Sequence, residues 1–480
     1  MSSAVAPPAA GQVRTSRPAI AASVLGVFIC LLDTNIVNVA LPDIERALGG
    51  GLSASQWIVS LYVLALAALI VPAGILGDMR DIRLLYGVGG AVFGLGSLAC
   101  SLAASSGIHG TAMILVGRAV QGVGAALILP LSLAMIFVFA EPAARTKLIA
   151  LWSAVGGLST AVGPLVGGLI VQHIGWTWIF LLNLPVVAVL TVLLLRTPVP
   201  GGQRREALPN PVSVAAFTVS AFALTLALIQ GPSWGWADAR VLAMFGLTLV
   251  GTVVLVAGEA GSKRPLLPVT LRREREFRSS LLTGFISGFA VFSLFFFLSY
   301  YLQYGAGLSP TETGLRYLPM SAMLVVFAGV GRQMGERIGQ AATIGVGMLI
   351  CGIGLALLWV MLADSRPGAL ETIVPTVVVG IGLGLSFPAT SAQALAHASG
   401  DDYGTAASIL TMTRQLGTSV GIGVLSLIMT HSVGGHLTAD AVRDGMRWIG
   451  LAGAVATTLI ALINLRAAAR NASNPESEPQ

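Results

Sequence analysis

The feature that most constrains this chain is a series of apolar runs, each about as long as a membrane-spanning helix. A helix needs about 20 apolar residues to cross the hydrocarbon core of a bilayer. Fourteen such runs follow one another, separated by breaks that carry charges or glycine, proline and asparagine turns. They lie near residues 19–40, 55–75, 84–104, 112–138, 148–171, 177–196, 212–230, 240–259, 278–303, 314–332, 341–362, 372–396, 404–430 and 447–467. The pattern predicts an all-α polytopic membrane protein with 14 transmembrane helices.

Composition excludes the other broad classes. Of the 480 residues, 55% are hydrophobic and only 10% are charged, whereas a soluble domain carries about 25% charged residues. The apolar content also excludes a disordered chain. The three cysteines all lie inside apolar runs, so no disulfide scaffold is expected. The basic residues are scattered and the histidines lie in loops or at helix ends. We therefore expect no nucleic-acid binding, no metal site and no enzyme activity.

The basic residues predict the orientation in the membrane. Cytoplasmic loops of membrane proteins carry an excess of lysine and arginine. With the N-terminus in the cytoplasm, 19 of the 27 Lys and Arg residues fall in cytoplasmic loops or tails and 6 in outer loops. Only Arg118 and Arg414 remain inside apolar runs. We expect both termini in the cytoplasm and the chain in the cell inner (plasma) membrane.

An internal repeat predicts two related halves. Residues 122–130 and 380–388 both read G-x-G-x5-P, at an offset of 258 that also pairs Gly77 with Gly335. Helices 1–6 then correspond to helices 9–14, and helices 7 and 8 are inserted, which gives two six-helix bundles plus a helix pair (6+2+6). The predicted segments are a tail at 1–18, a bundle at 19–196, the inserted pair with its loop at 197–277, a bundle at 278–468 and a tail at 469–480.

Asp33 is the only acidic residue well inside an apolar run. A charge at that depth costs about 2.5–3.5 kcal/mol on insertion scales, so it must face water, a partner or a proton. Arg118 lies at about the same depth on helix 4, with Gln121 one turn away, and Asn35 and Asn38 extend a polar stripe along helix 1. Two readings stay open: a static structural ion pair, or a site that takes up and releases a proton.

Helices 9 and 13 supply further candidates. Arg414 lies near the middle of helix 13, with no acid inside the same bundle. It either hydrogen-bonds helix carbonyls or contacts substrate in a central cavity, where its charge favours neutral or weakly anionic substrates. Phe292 and Phe296 follow helical spacing on helix 9 and either pack in the core or line an apolar pocket.

Several segments together resemble the fourteen-helix drug:proton antiporters of the major facilitator superfamily. The resemblance lies in the first-helix segment 32–42 (LDTNIVNVALP), the loop after helix 2 at 74–83, the fourth-helix segment 118–124 (RAVQGVG), the fifth-helix segment 163–168 (GPLVGG) and the thirteenth-helix segment 414–417 (RQLG). One departure is Asp81, which stands where the loop motif usually has a glycine.

The resemblance implies a proton-coupled transporter that exports a hydrophobic or amphipathic drug or antibiotic by alternating access. The matched depth of Asp33 and Arg118 leads us to assign proton coupling to this pair. The resemblance assigns a gating loop to Gly74, Gly77, Asp78 and Arg83. It implies an antiporter packing motif that meets the other bundle, formed by Gly156, Gly163, Pro164, Gly167 and Gly168. The candidates for the substrate cavity are Asn35, Asn38, Gln121, Phe292, Phe296, Arg414 and Gln415.

The implied partners are a small hydrophobic substrate, protons and the lipid bilayer. We expect a monomer that needs no cofactor, because the proton gradient supplies the energy. Two alternatives remain open at this stage. One is a substrate:proton symporter or a lipid or metabolite exporter on the same fold, and the other is a membrane sensor that transports nothing.

Overall fold

A computed structural model describes residues 15–48, 51–199, 209–260, 262, 265–266, 269–363, 368–398, 402–433 and 438–473. Within these ranges the secondary structure is helical and there is no strand. Most of the predicted tails at 1–18 and 469–480 lies outside the described residues. The helices of the first half are α1 (Arg17–Leu48), α2 (Gly51–Met79), α3 (Ile82–Leu102), α4 (Gly110–Phe139), α5 (Pro142–His173), α6 (Thr177–Leu181) and α7 (Asn183–Leu195).

The remaining helices contain two π-helical segments. The central pair is α8 (Pro211–Trp234) and α9 (Ala239–Ala260). The second half comprises α10 (Val269–Arg273), α11 (Arg275–Ile286), a π-helical turn (Ser287–Phe292), α12 (Ser293–Tyr300), a second π-helical turn (Tyr301–Gly305), α13 (Pro310–Ile338), α14 (Gln340–Met361), α15 (Leu370–Leu395), α16 (Tyr403–Val433) and α17 (Ala439–Ser473).

Twelve helical segments of the described chain are long and apolar enough to cross a membrane. They comprise α1 to α4, α6 with α7, α8, α9, the segment Arg275–Gln303, α13, α14, α15 and α17. Helices α5 and α16, of 32 and 31 residues, are not among the twelve. A polytopic membrane protein is confirmed, whereas the count of fourteen spans stays a prediction.

The helix starts follow local capping rules. Asp81 caps α3 by accepting a hydrogen bond from the Arg83 amide at 3.0 Å. Ser309 and Glu312 form a reciprocal capping box at the start of α13, where Pro310 occupies the first helical position. A proline there loses nothing, because the first amides of a helix have no partner within it.

Two clusters of helices and one pair form the fold. In the first half α1 packs on α5, and α4 packs on α2 and α3. In the second half α14 packs on α15 and α17, and α13 packs on α15. Helices α8 and α9 pack on each other, and α8 also contacts α2 and α16. The halves meet where α5 contacts α13 and where α2 and α4 contact α16.

Candidate functional site

A buried ion pair joins α1 to α4. The carboxylate Oδ2 of Asp33 lies 2.5 Å from Nη1 of Arg118, and both side chains are 1% exposed. Taking two charges out of water is costly, and the cost is offset only when the charges pair closely and their remaining hydrogen-bonding groups are satisfied. The structure thus brings together the two residues that the sequence places at equal depth.

Three polar side chains complete the environment of Asp33. Its second oxygen, Oδ1, accepts hydrogen bonds from Gln121 Nε2 at 3.1 Å and from Asn183 Nδ2 at 2.9 Å. The hydroxyl oxygen of Ser97 accepts from the same two amides, at 2.7 and 3.0 Å. All of these side chains are buried. These side chains come from α1, α3, α4 and the first residue of α7. We call Asp33, Arg118, Gln121, Asn183 and Ser97 the Asp33 network.

Arg118 has partners besides the carboxylate. Its Nε donates to the Ile58 carbonyl of α2 at 3.1 Å, and its Nη1 also donates to Gln121 Oε1 at 2.8 Å. The guanidinium lies over the ring of Tyr62, 4.4 Å from the ring centre. A cation over an aromatic face is attracted by the ring quadrupole. Arg118 consequently keeps several favourable contacts even when the Asp33 carboxylate changes its charge.

Glycines let α3 and α4 approach closely enough to form this network. A Cβ at Gly96 would lie 2.6 Å from the Gln121 amide nitrogen, and one at Gly124 would lie 2.5 Å from the Phe93 amide nitrogen. Small residues allow such close backbone contact between membrane helices. The contact places Ser97 of α3 beside Gln121 of α4, as the network requires.

Asn35 and Asn38 lie apart from the Asp33 network. Positions 33 and 35 are about 200° apart around an α-helix, because each residue turns the chain by about 100°. Asn35 donates to the Leu31 carbonyl at 2.7 Å, and Asn38 is exposed. The predicted polar stripe is therefore not continuous with Asp33.

The end of α2 is joined to the start of α16. Asp78, which is 7% exposed, accepts hydrogen bonds from the Gly404 amide at 2.6 Å and from the amide and hydroxyl of Thr405 at 2.8 and 2.5 Å. A carboxylate at a helix N-terminus satisfies free amides and interacts favourably with the helix dipole. A Cβ at Gly404 would lie 2.5 Å from the Gly74 carbonyl oxygen. We call this contact between the halves the Asp78 latch.

The two other gating candidates lie within the first half. A Cβ at Gly77 would overlap the side chain of Leu131 on α4. Arg83 pairs with Asp81 at 2.8 Å and donates to the Thr197 carbonyl at 2.6 Å. The structure therefore does not bring Arg83 to the Asp78 latch. Asp81, the residue that departs from the loop motif, pairs with the Arg83 guanidinium on the same half.

The glycine face predicted to meet the other bundle packs instead on α1. A Cβ at Gly163 would lie 2.7 Å from the Asn35 Cβ, and one at Gly167 would lie 3.3 Å from Ile36. Gly156 also packs on α1. The expectation of contact with the other half is corrected for these three glycines, because their shared face points into their own bundle.

A different face of α5 meets α13. A Cβ at Gly168 would lie 2.8 Å from the hydroxyl oxygen of Thr311, and one at Gly157 would lie 2.5 Å from Leu324. Gly168 is thus the residue of the predicted packing motif that contacts the second half. The side chain of Pro164 lies outside the described part of the structure. Helix α5 therefore connects α1, which carries Asp33, with α13 across the molecule.

Arg414 of α16 has aromatic neighbours from other helices. Its guanidinium carbon is 4.6 Å from the ring centre of Phe387 and 5.8 Å from that of Phe292. Trp152 of α5 lies parallel to Phe387, with ring centres 6.0 Å apart and planes inclined by 3°. We call Arg414, Phe292, Phe387 and Trp152 the Arg414 site.

Two predicted cavity residues are placed differently. Phe296 is 51% exposed and packs edge-on against Phe297, so the structure does not bring it to the Arg414 site. Phe387 occupies the position beside Phe292 instead, with ring centres 5.9 Å apart. Gln415 follows Arg414 on α16 and is partly buried.

Several site residues were missed from the sequence. Asn183, a polar residue between leucines in an apolar run, carried a usable signal, as did Trp152, the one tryptophan away from the outer helix ends. Ser97 and Thr405 carried none, because small hydroxyl residues are common inside membrane helices. Across the described residues, no group of three or more His, Cys, Asp or Glu side chains is arranged to hold a metal ion.

Comparison with known sequences gives consistent matches over nearly the whole chain. The family model described as Major Facilitator Superfamily matches residues 23–422 and 280–480. The chain is 33% identical over 432 residues to the tetracenomycin C resistance and export protein of Streptomyces glaucescens, covering 89% of this chain and 78% of the relative. It is 32% identical over 428 residues to the probable actinorhodin transporter of Streptomyces coelicolor, covering 86% and 72%.

Solved structures share the fold at low sequence identity. The human organic anion transporter MFSD10 (TETRAN) superposes with a TM-score of 0.66 at 15% identity, covering 92% of this chain and 99% of that protein. The proton:xylose symporter XylE superposes with a TM-score of 0.63 at 12% identity, covering 91% and 94%. At identities this low the comparison shows a shared fold and carries no information about the substrate.

Proposed function

Because the chain belongs to the major facilitator superfamily, we propose that it is a proton-coupled antiporter that exports a hydrophobic or amphipathic drug. It is a multi-pass membrane transporter and not an enzyme, and relatives that it matches are resistance and export proteins. The observation that carries proton coupling is the Asp33 network. A carboxylate that is 1% exposed and held by one arginine and two amides is a group whose protonation changes the local balance of charge.

The proposed cycle alternates the partner of that carboxylate. When the site opens to the outside, Asp33 takes up a proton and its attraction to Arg118 falls. Arg118 keeps the Ile58 carbonyl, Gln121 and the Tyr62 ring as partners, so its charge stays satisfied. When the site opens to the inside, Asp33 releases the proton, the ion pair re-forms and the drug is loaded.

Helix α5 is the proposed connection between the proton site in the first half and the second half. One face packs on α1 next to the turn that carries Asp33, and another face packs on α13 of the second half. A change in the position of α1 therefore acts on α5, which is packed against the opposite half. The Asp78 latch would hold the cytoplasmic ends of α2 and α16 together until the cycle opens them.

We also propose that the chain spans the membrane fourteen times. Helices α5 and α16 are long enough to span, at 1.5 Å rise per residue, and both pack against other spanning helices. With them the count is fourteen, arranged 6+2+6, with both termini in the cytoplasm and the chain in the plasma membrane. The boundaries near 196, 277 and 468 are kept as proposed, and so are the monomeric state and the proton gradient as sole energy source.

Two experiments test this function. Expression in an efflux-deficient bacterial host should raise resistance to at least one drug of a panel that includes tetracenomycin C. Everted vesicles with an acidic lumen should accumulate that drug. Adding the drug should make the lumen less acidic, because antiport moves protons out of the vesicle as the drug moves in. Accumulation driven by the opposite gradient would indicate a symporter, and no resistance or transport across the panel would favour the sensor.

A further inference from the structure

Arg414 is a positive charge without a counterion. No acidic side chain forms an ion pair with it, and no acceptor hydrogen-bonds its guanidinium, among the residues that the structure describes. The other arginine inside the spans, Arg118, has both kinds of partner. A lone charge at membrane depth is costly and marks a functional site by default. Arg414 is only partly buried, so a group from outside the polypeptide can reach it and supply the negative charge.

The aromatic neighbours define how such a partner would approach. The rings of Phe387 and Phe292 lie within 4.6 and 5.8 Å of the guanidinium carbon. The edge of the Arg414 guanidinium is available to a ligand, since no acceptor among the described residues hydrogen-bonds it. That edge carries N–H donors in a fork that matches a carboxylate and can bind it through two parallel hydrogen bonds.

The site is shared between the two halves of the molecule. Trp152 comes from α5, whereas Phe387, Phe292 and Arg414 come from the second half. Trp152 and Phe387 stack in parallel, and the Trp152 Nε1 is already bonded to the Ser132 hydroxyl at 2.9 Å. If the halves separate, the stacked faces of Trp152 and Phe387 become available to a ligand, whereas the Trp152 Nε1 is already used. Such faces favour a flat aromatic ligand.

The helix backbones around Arg414 are closely packed. A Cβ at Gly288 would overlap the Arg414 carbonyl oxygen, and a Cβ at Gly417 would overlap the Phe285 carbonyl oxygen. Gly288 lies in the π-helical turn Ser287–Phe292, which ends at a ring of the site. Single π-helical turns are rare and occur frequently at functional sites. The local irregularity and the uncompensated charge are independent observations that point to the same place.

We infer that the transported substrate is an organic anion whose acidic group is attached to a planar aromatic ring system. Arg414 binds the acidic group through its edge, and Phe387 and Trp152 pack against the ring. A cationic drug is disfavoured, since the second half offers it a fixed positive charge instead of a carboxylate. This inference rests on the proposed export function and narrows it to one class of substrate.

Four probes separate charge from aromaticity. They are 2-naphthoate, its neutral isostere 2-naphthamide, the cation 2-naphthylmethylammonium and the saturated anion decalin-2-carboxylate. Binding of each to the purified full chain in lipid nanodiscs is measured by titration calorimetry, with empty nanodiscs to subtract partition into lipid. A hydrogen bond to a charged group is stronger than one to a neutral group, so we expect 2-naphthoate to bind about tenfold or more tightly than the amide and the cation. Decalin-2-carboxylate keeps the acidic group but lacks the flat ring that packs on the aromatic faces, so it should bind more weakly than 2-naphthoate for that separate reason.

Variants assign the preference to the site. Arg414→Gln should bind 2-naphthoate and 2-naphthamide equally, whereas Arg414→Lys should keep part of the preference for the anion. Phe387→Leu should bind 2-naphthoate and decalin-2-carboxylate equally. Arg316→Gln is the matched control, because it removes one positive charge outside the Arg414 site. Arg316 lies on α13 and donates to the Thr372 hydroxyl, so its loss should not change the preference for the anion. A midpoint of thermal unfolding equal to that of the wild-type chain shows that Arg414→Gln is folded.

The result that overturns the inference is equal or tighter binding of the amide or the cation by the wild-type chain. Retention of the full anion preference in Arg414→Gln, or no binding of any probe, would overturn it as well. These outcomes are distinct from a failure of the proposed function, because the titrations need no proton gradient. An anion-selective site without pH-driven transport would refute only the antiport, and antiport of a cation would refute only the present inference.

Discussion

The carboxylate of Asp33 is held from three directions, and this arrangement makes each partner's contribution measurable. Arg118 occupies one oxygen, while Gln121 and Asn183 share the other. Removing one partner of a buried group leaves the other unsatisfied, which costs more than the net gain from an ordinary hydrogen bond. The residues around the pair therefore matter nearly as much as the pair itself.

Asn183→Ala should lower the stability of the protein by about 1–3 kcal/mol, because one oxygen of a buried carboxylate loses a donor. The measurement is the midpoint of thermal unfolding in detergent. Asn35→Ala is the matched control, since Asn35 donates only to the Leu31 carbonyl of its own helix and should have a smaller effect. Equal losses in the two variants would mean that Asn183 is not a significant partner of Asp33.

The sequence predicts the charged members of the site but not their neutral partners. An aspartate or arginine inside an apolar run stands out because its burial is so costly. Asn183 and Ser97 do not stand out in this way, because their positions depend on how α3, α4 and α7 pack. Helical spacing groups Phe296 with Phe292, whereas in the structure the ring beside Phe292 is that of Phe387 from another helix, which spacing along one helix cannot show.

At the scale of the helix, the Asp78 latch is a contact between a side chain and a helix terminus. The first amides of α16 have no partner within that helix, and Asp78 of the opposite half accepts hydrogen bonds from two of them. The contact is lost if the halves separate at this end. It therefore stabilises the arrangement in which α2 and α16 are closed.

Asp78→Asn should shift the protein towards the state that is open at this end. The amide replaces a charged acceptor, and hydrogen bonds to charged groups contribute about 1.5–3 kcal/mol, so we expect a shift of roughly tenfold or more in population. Spin labels at Arg80 and His397 report it as longer and broader distances by electron paramagnetic resonance. The native cysteines are buried, which favours labelling at the introduced sites.

Asp81→Asn is the control for this experiment. Asp81 lies three residues away, but its carboxylate binds Arg83 within the same half. Its substitution should leave the distance between the labels unchanged. If both variants widened the distance alike, the effect would come from the loop and not from the latch.

The positions and order of the helices followed from the sequence, whereas their exact ends and their faces did not. Each predicted apolar run coincides with helix in the described residues, because apolar length and polar breaks are local properties. The direction of a glycine face is not local. Gly163 and Gly167 contact α1, whereas Gly168 contacts α13. The sequence cannot say which helix each of these neighbouring glycines meets, because that depends on the three-dimensional packing.

At the scale of the whole molecule, α5 is one of the helices through which the halves meet. It is the helix that packs extensively on both α1 and α13. Helices α8 and α9 lie at the side, and α9 is mostly exposed along its length, as expected for a helix that faces lipid. The offset of 258 in the sequence predicted paired halves, and only the three-dimensional packing identifies α5 and α16 as helices through which the halves meet.

The fourteen-span topology predicts opposite sides for two loops. Cysteines introduced at Ser262 and Gly235 should react with a membrane-impermeant thiol reagent from opposite faces of the membrane, Gly235 from outside and Ser262 from inside. The 19-to-6 distribution of basic residues is the reason. Labelling of both positions from one side of intact cells would refute the count of fourteen.

The most direct test of the account is proton-driven transport by Asp33→Asn. The drug is the one against which the wild-type chain protects an efflux-deficient host, and both uphill transport under a pH gradient and drug exchange without a gradient are measured in everted vesicles. We predict that the variant loses uphill transport and retains exchange, because asparagine cannot carry the proton but leaves the drug site intact. Uphill transport at the wild-type rate would contradict the account and would assign proton coupling to another residue.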